Sequence, residues 1–159
     1  GQLLAGEYPG ARLEAEARAK LSALLDAGVR VFVDLTEAGE YNLRPYWPLL
    51  EELAAARAIS VTHRRLSIPD MCAAEPAHML AVLDTIDAAL AKGQPVYVHC
   101  YGGIGRTGTV VGCHLVRHGA AGAAALAEIA RRRRNTPDGY RQSPETEEQR
   151  KLVLAWHEG

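Results

Sequence analysis

The feature that most constrains this chain is a glycine-rich segment between an apolar strand and an apolar helix. Residues 99–108 read His-Cys-Tyr-Gly-Gly-Ile-Gly-Arg-Thr-Gly. The apolar residues 96–98 predict a short buried strand, and a helix is predicted over residues 106–118. A chain that turns sharply between strand and helix directs successive backbone N–H groups into one concavity, and the helix N-terminus adds partial positive charge. The segment therefore predicts a binding site for a tetrahedral anion, with a thiol at its base.

Residues 100–106, called the cysteine loop below, carry the groups that nucleophilic attack on phosphorus requires. Cys100 is the candidate nucleophile, because the helix N-terminus, the loop amides and the Arg106 cation all favour its thiolate. The planar guanidinium of Arg106 can bind two phosphate oxygens at once, which a lysine cannot do. We expect the Thr107 hydroxyl to donate to the sulfur and the His99 ring nitrogens to hold the loop. The predicted substrate-binding residues are Tyr101, Gly102, Gly103, Ile104, Gly105 and Arg106.

Composition excludes several classes of protein. The 159 residues are 48% hydrophobic and carry a formal net charge of -1, which fits one globular domain over residues 1–159 rather than a disordered tail or a polycation. No apolar run approaches the length of a membrane span, and no signal peptide is visible. Cys72, Cys100 and Cys113 lack metal-ligand spacing, and an odd set of cysteines is typical of free thiols in a reducing compartment. We therefore expect a cytoplasmic protein.

Apolar periodicity divides the chain into helices that alternate with short strands. Strands are predicted over residues 3–5, 29–35, 60–66 and 96–98, and helices over residues 12–27, 49–58, 76–90, 106–118, 120–134 and 144–156. Ser143 is the predicted N-cap of the last helix, with Pro144 in its first turn. The alternation predicts an α/β fold, in which helices flank both faces of a small, mostly parallel central sheet of about four to five strands. Ligands of such sheets bind beyond the carboxyl ends of the strands, where Cys100 is expected.

The pattern His-Cys-x-x-Gly-x-Gly-Arg-Thr-Gly resembles the signature of the cysteine-dependent protein tyrosine phosphatases, and the short chain is most similar to their dual-specificity group. The order of strands and helices extends the likeness over nearly the whole chain. The resemblance implies a phosphatase-type fold and hydrolysis of phosphate monoesters through a phosphocysteine intermediate, with no cofactor and no metal. Sulfur-transfer enzymes and arsenate reductases also use a cysteine loop, but neither needs this Gly-Arg-Thr-Gly ending.

That family uses an aspartic acid upstream of the cysteine as general acid, and Asp70 fits this role on a loop that follows a strand. Asp70 would protonate the leaving oxygen as Cys100 attacks and then deprotonate the hydrolytic water. Glu75 on the same loop is the alternative. Asp84 and Asp87 are weaker candidates, because both are predicted to face solvent from a helix.

Larger members of the family position the attacking water with a glutamine-rich segment beyond the loop. Residues 143–149 occupy the comparable place here, with Glu145 where such a glutamine would stand and Gln149 one turn further on. Gln149 is therefore a candidate supporting residue, although the pattern favours a residue on the surface of the last helix.

Substrate class is predicted from the middle of the cysteine loop. Lipid and inositol phosphatases of the superfamily tend to place lysine there, whereas residues 101–105 contain no cation. This favours a phosphorylated protein or peptide, with phosphotyrosine first and phosphoserine and phosphothreonine as alternatives, over soluble inositol or nucleotide phosphates and phosphoinositides. A catalytically weak phosphate-binding module is a further alternative. We expect phosphate, sulfate or vanadate as ligands of the loop, no nucleic-acid or membrane partner, and a monomer.

Three other features have two interpretations each. Tyr41, Tyr46 and Trp47 form either a wall beside the pocket or part of the core. Cys72 is either an inert thiol or a redox partner that protects Cys100. Residues 131–134, all arginine, form a solvated helix end or a patch for acidic ligands.

Overall fold

The computed structural model describes residues 2–159, and its centre is a parallel sheet of four short strands. The strands are β1 (Leu3–Gly6), β2 (Val31–Asp34), β3 (Thr62–Arg65) and β4 (Val96–His99). Their order is β1-β4-β2-β3, and all three pairings are parallel. Because β4 pairs on both sides, the strand that precedes the cysteine loop lies inside the sheet. The predicted sheet is thereby confirmed.

Six α-helices and one short 3-10 helix complete the fold of residues 2–159. They are α1 (Glu14–Asp26), the 3-10 helix (Glu40–Asn42), α2 (Trp47–Ala56), α3 (Pro76–Ala91), α4 (Arg106–Arg117), α5 (Gly122–Arg133) and α6 (Glu147–Ala155). Most predicted bounds differ from these by one to three residues. Within residues 2–159, none of the helices is long and apolar enough to cross a bilayer.

Helices cover both faces of the sheet, as the sequence predicts. Successive strand residues point to opposite faces. Val96 and Val98 of β4 accordingly pack in the cluster formed with α3, α4, α5 and α6. Tyr97 packs with Phe32 in the second cluster, formed with α1 and α2. The two cores hold β4 between them and fix the direction in which its carboxyl end delivers the cysteine loop.

The packing of α6 against α4 depends on a glycine. A Cβ atom at Gly112 would lie 2.6 Å from Val153 Cγ2, closer than real Cβ contacts allow. The absence of a side chain at Gly112 lets the two helices approach closely. This approach brings the N-terminus of α6 beside the cysteine loop, where a Cβ at Gly105 would lie 3.0 Å from Gln149 Oε1.

The predicted start of the last helix is wrong. Thr146, not Ser143, is the N-cap of α6: its side chain accepts from the Gln149 N–H, and the Gln149 side chain accepts from the Thr146 N–H in return. This capping box satisfies two helix-end donors, so it defines the helix start more strongly than a lone serine. The Ser143 hydroxyl is buried and donates to the Ile104 carbonyl at 2.6 Å, which ties the segment before α6 to the cysteine loop.

Candidate active site

The cysteine loop wraps around the sulfur of Cys100. This side chain is only 3% exposed, and its Sγ accepts a hydrogen bond from the Gly103 N–H at 3.3 Å. Gly103 has φ +72, and a Cβ there would collide with the backbone of Gly6. Only glycine therefore allows the chain to turn its amide towards the sulfur while β1 passes directly behind.

Arg106, the first residue of α4, is fixed along one edge of its guanidinium. Its two terminal nitrogens donate to the two carboxylate oxygens of Glu40, each at 2.7 Å. Nη1 also donates to the Ile68 carbonyl at 2.9 Å. Burial works to lower the pKa of Arg106, but the hydrogen bonds that it donates to Glu40 and the charge of Cys100 outweigh this effect and raise the pKa. Arg106 therefore stays a cation although it is 1% exposed.

The other edge of the Arg106 guanidinium is available to a ligand. Its Nε is buried and has no hydrogen-bond partner among residues 2–159. A buried N–H without a partner is uncommon and destabilising. An anion seated over the loop amides would supply the acceptor, so this edge can bind a phosphoryl oxygen.

Asp70 lies at the same pocket. Its Oδ1 is 3.2 Å from Arg106 Nη2, its other oxygen accepts a hydrogen bond from the Tyr41 hydroxyl, and its side chain is 32% exposed. Glu75, the alternative acid, is the exposed N-cap residue of α3. Across residues 2–159, no hydrogen bond or ion pair joins Glu75 to Cys100 or Arg106. The geometry therefore favours Asp70 for proton transfer above the cysteine loop.

His99 supports the loop from beneath. Its Nδ1 lies 3.1 Å from the Cys100 carbonyl, and its Nε2 lies 2.7 Å from the Tyr46 hydroxyl. A carbonyl only accepts, so Nδ1 carries the proton and the Tyr46 hydroxyl donates to Nε2. Burial lowers the pKa of His99 to about 4, although the nearby Asp34 carboxylate opposes this shift. His99 is therefore a neutral, doubly hydrogen-bonded support at ordinary pH.

Asp34 anchors the end of β2 behind this histidine. Its Oδ1 accepts from the Thr36 N–H at 2.9 Å and from the Thr36 hydroxyl at 2.6 Å, and its Oδ2 lies 3.0 Å from His63 Nε2. Burial alone would raise the pKa of Asp34, but the hydrogen bond from His63, the nearby His99 and the Thr36 bonds lower it well below its usual range. A carboxylate with this many donors remains charged inside the protein.

Two expectations for residues after the loop need correction. Gln149 is not a surface residue, because it is fully buried and its Nε2 donates to the Cys72 carbonyl at 3.2 Å. Gln149 therefore connects the loop that contains Asp70 and Cys72 to the N-terminus of α6, which lies beside the cysteine loop. The expected hydrogen bond from Thr107 to the sulfur is not present: Thr107 Oγ1 is buried without a partner among the described residues.

Of the three aromatic residues 41, 46 and 47, one lies beside the pocket and the other two pack elsewhere. Tyr41 is 61% exposed and its ring centroid lies 5.0 Å from that of Tyr101, which is 51% exposed. These two rings form a wall at the pocket, next to Asp70. Tyr46 is buried in the core, and Trp47 stacks on His63.

The remaining candidates lie outside the immediate pocket. Cys72 is exposed, and its proposed redox partnership with Cys100 stays a prediction. Arg131 and Arg132 pair with Glu128, which fits a solvated helix end.

Sequence reasoning missed Glu40 and Asp34. Each follows or ends a buried strand at the carboxyl edge of the sheet, where charged side chains converge on the ligand site. That position was the available signal. Apart from Thr36, which lies two residues after Asp34, the partners described above are distant in sequence, and only the folded chain brings Arg106 to Glu40 and His63 to Asp34.

Comparison with known proteins identifies the family. A family model described as "Polymorphic toxin system, DSP-PTPase phosphatase" (Tc-R-P) matches residues 9–120. The chain belongs to this family. The matched range contains Asp70 and the whole cysteine loop. A protein of Invertebrate iridescent virus 3 described as a tyrosine phosphatase (067L) is 34% identical over 96 residues, 60% of this chain and 38% of that protein. The chain thus spans about two fifths of that relative's length.

Solved structures agree with the DSP-PTPase assignment. Tk-PTP in its active form has a TM-score of 0.68 at 26% identity, with 94% of this chain and 93% of that chain covered. PTPMT1 in complex with PI(5)P has a TM-score of 0.72 at 23% identity, with 96% and 88% covered, and shows a likeness of fold. The predicted resemblance and fold class are confirmed. Tyrosine and dual-specificity phosphatases, with which this family is grouped, are hydrolases.

The neutral state of His99 predicts a pH-dependent stability in this phosphatase domain. The pKa of His99 falls to about 4 in the folded chain. Between this value and the ordinary pKa of about 6.5, the unfolded state therefore binds a proton that the folded state does not bind. Stability is then lost as pH falls from about 6.5 to 4, by on the order of 3 kcal/mol over the whole window. Urea unfolding across this range should show a shallower slope for His99→Asn than for the unmodified chain. The exposed His157→Gln serves as control, and equal slopes for His99→Asn and the unmodified chain would contradict the prediction.

Proposed function

We propose that this chain hydrolyses phosphate monoesters through a phosphocysteine intermediate on Cys100. The observation that carries the proposal is the convergence of three groups on one pocket: the Cys100 thiol in its amide loop, the free edge of Arg106, and the Asp70 carboxyl 3.2 Å from that guanidinium. Membership of the DSP-PTPase family supports it.

In the first step, the Cys100 thiolate attacks phosphorus and forms the S–P bond. The bond to the ester oxygen breaks, and protonated Asp70 transfers its proton to that oxygen, so the alcohol or phenol leaves neutral. The loop amides and Arg106 Nε hold the non-bridging oxygens, on which negative charge collects. Glu40 keeps the guanidinium in place during this step, through its two 2.7 Å hydrogen bonds.

In the second step, a water molecule attacks the phosphocysteine. Asp70, now a carboxylate, takes a proton from the water as the O–P bond forms and the S–P bond breaks. Inorganic phosphate is released and the Cys100 thiolate is regenerated, so no redox reagent is consumed. The predicted role of Thr107 in steadying that thiolate requires its hydroxyl, unpartnered here, to rotate towards the sulfur.

Phosphotyrosine is the proposed preferred substrate. Tyr41 and Tyr101 present two exposed rings beside the pocket, with centroids 5.0 Å apart, and an aryl ester can pack against them. The loop positions 101–105 carry no cation for additional phosphates of a lipid or inositol ring. Soluble inositol or nucleotide phosphates and phosphoinositides are the alternative substrates.

The family description adds a biological setting. Because the family is described as part of a polymorphic toxin system, we propose that dephosphorylation in a target cell is a toxic activity of the protein that carries this domain. The Cys100 thiol and the Asp70 carboxyl, which phosphate binding alone does not need, support an active enzyme rather than a phosphate-binding module.

Replacement of the nucleophile separates binding from turnover. Cys100→Ser should abolish hydrolysis of an aryl phosphate while phosphate, sulfate or vanadate still binds, because the amides and Arg106 are unchanged. Steady-state kinetics and calorimetric titration measure the two properties. The matched control is Cys72→Ser, at an exposed thiol, which should retain full turnover. Substantial hydrolysis by Cys100→Ser would exclude the phosphocysteine mechanism.

Replacement of the proposed acid should change the pH profile. Turnover is expected to be bell-shaped in pH, with its maximum on the acidic side of neutral. Asp70→Asn should slow turnover by about 100-fold or more and remove the alkaline limb, since no carboxyl is left to deprotonate. Glu75→Gln is the matched control and should keep the parent profile. If Glu75→Gln loses the limb and Asp70→Asn keeps it, the acid is Glu75.

A substrate panel tests the aromatic wall. Phosphotyrosine peptides should be hydrolysed faster than phosphoserine peptides, inositol phosphates and phosphoinositides. Tyr101→Ala should raise KM for the phosphotyrosine peptide and leave a small alkyl phosphate unaffected, because only an aryl group reaches the ring. Tyr101 is preferred to Tyr41 for this test because Tyr41 also bonds Asp70. Faster hydrolysis of inositol phosphates or phosphoinositides than of phosphotyrosine peptides would contradict the proposal and identify those phosphates as the preferred substrates.

Expression inside a bacterial cell tests the toxic role. The unmodified chain should slow growth, and Cys100→Ser at an equal protein level, verified by immunoblot, should not. Equal growth inhibition by both proteins would show that toxicity does not arise from the phosphatase chemistry.

A further inference from the structure

Two histidines and an aspartate meet at the carboxyl end of α4, away from the cysteine loop. His114 lies in the last turn of α4 and His118 is its C-cap, and their ring centroids are 4.5 Å apart. Asp87 approaches from α3, with Oδ1 at 3.0 Å from His118 Nε2 and 3.6 Å from His114 Nδ1. Asp87 is thus only 29% exposed, and its expected solvent-facing position is incorrect.

The separations within this cluster fit a metal ion. One ligand atom from each residue lies within 4.8 Å of the others. Tetrahedral zinc, with bonds of roughly 2.0–2.1 Å to nitrogen and oxygen, holds its ligand atoms about 3.3 Å apart. Small rotations of the three side chains would therefore bring their lone pairs onto one ion.

His114 presents an unpartnered ring nitrogen to this cluster. Its Nδ1 is buried without a hydrogen-bond partner among the described residues, and its side chain is only 13% exposed. A buried imidazole nitrogen that faces a carboxylate oxygen and a second imidazole can serve as a metal ligand.

The surrounding charges also favour a cation. Arg117 Nη1 lies 3.0 Å from Asp87 Oδ2, which leaves Oδ1 directed at the two imidazoles. Asp84 and Glu158 also pair with Arg117, so three carboxylates face one guanidinium. The C-terminus of α4 adds partial negative charge. Arg117 orients the carboxylate as an outer-shell partner would in a metal site.

We propose that Asp87, His114 and His118 bind a divalent transition metal, with Zn²⁺ the best match to two imidazoles and one carboxylate. Water can fill the remaining position, because His118 is 54% exposed. The ion would join α3, which follows the Asp70 loop, to α4, which begins at Arg106. His114 is about 12 Å from Arg106 along the helix axis, so the ion takes no part in the phosphoryl transfer.

The test is calorimetric titration of Zn²⁺ into the folded, tag-free chain carrying Cys72→Ser and Cys100→Ser, because free thiolates also bind zinc. One Zn²⁺ per chain should bind, and saturation should raise Tm by about 5 °C. Adding His118→Gln or Asp87→Asn should weaken binding by at least about tenfold, since even loss of an outer-shell partner has an effect of that size. The Zn²⁺-dependent rise in Tm should disappear in the same variants.

His157→Gln in the same background is the matched control, because it removes an exposed histidine outside the cluster. It should keep both the affinity and the Tm rise. His118 is exposed, so His118→Gln should fold, and circular dichroism verifies this. The absence of saturable binding, or unchanged affinity in both His118→Gln and Asp87→Asn, would overturn the proposal and leave a hydrogen-bonded polar cluster.

Discussion

Arg106 donates from an almost completely buried position to three residues in two loops that are distant from it in sequence. The Glu40 carboxylate accepts hydrogen bonds from both terminal nitrogens of Arg106. The carbonyls of Leu35 and Ile68 both accept from one of these nitrogens, Nη1. Removing one partner of such a buried pair typically costs about 3–5 kcal/mol, because the other charge is left uncompensated. The loops after β2 and β3 are therefore held closed on the N-terminus of α4. A cation fixed in this way needs no rearrangement when a phosphoryl group arrives, which is how preorganised sites stabilise developing charge.

On the opposite side, the cysteine loop is held by a neutral side chain, His99. His99 connects the Cys100 carbonyl to Tyr46, and its low pKa keeps it neutral. A protonated His99 would place a second cation under the loop, where the lowered pKa shows that burial disfavours it. The polar groups beneath the loop are instead satisfied by hydrogen bonds, a condition under which buried networks stiffen a structure. The cation at the loop, Arg106, thus lies on the substrate side, and the side chain directly beneath the loop is neutral, with the Asp34 carboxylate behind it.

Local sequence patterns were sufficient for the strands, most helices and the cysteine loop. Cys100, the loop glycines and Arg106 lie within seven consecutive residues. Their spacing in the sequence therefore predicts that they surround one site. Asp70 could be chosen because it follows a strand that ends at the same edge of the sheet. Glu40 could not be chosen in this way, because its partner Arg106 lies 66 residues away. For Gln149, named as a candidate supporting residue, the burial and the bond to Cys72, 77 residues away, could not be predicted for the same reason. Ser143 is a good N-cap residue by local sequence rules. In the folded chain, however, its hydroxyl donates to the Ile104 carbonyl, and Thr146 is the N-cap of α6.

The polarity of α4 offers a common reason for the two sites assigned to its ends. The partial positive charge at its start favours an anion, and the partial negative charge at its end favours a cation. In the proposed function the cysteine loop uses the first preference to bind phosphate, and the Asp87, His114 and His118 cluster uses the second for the proposed metal. Both ends are also fixed by buried or partly buried ion pairs, Arg106 with Glu40 and Arg117 with Asp87. A metal ion at the end of α4 would add a further link between α3 and α4, so its expected effect is on the stability of the helix that begins at Arg106 rather than on the phosphoryl transfer itself.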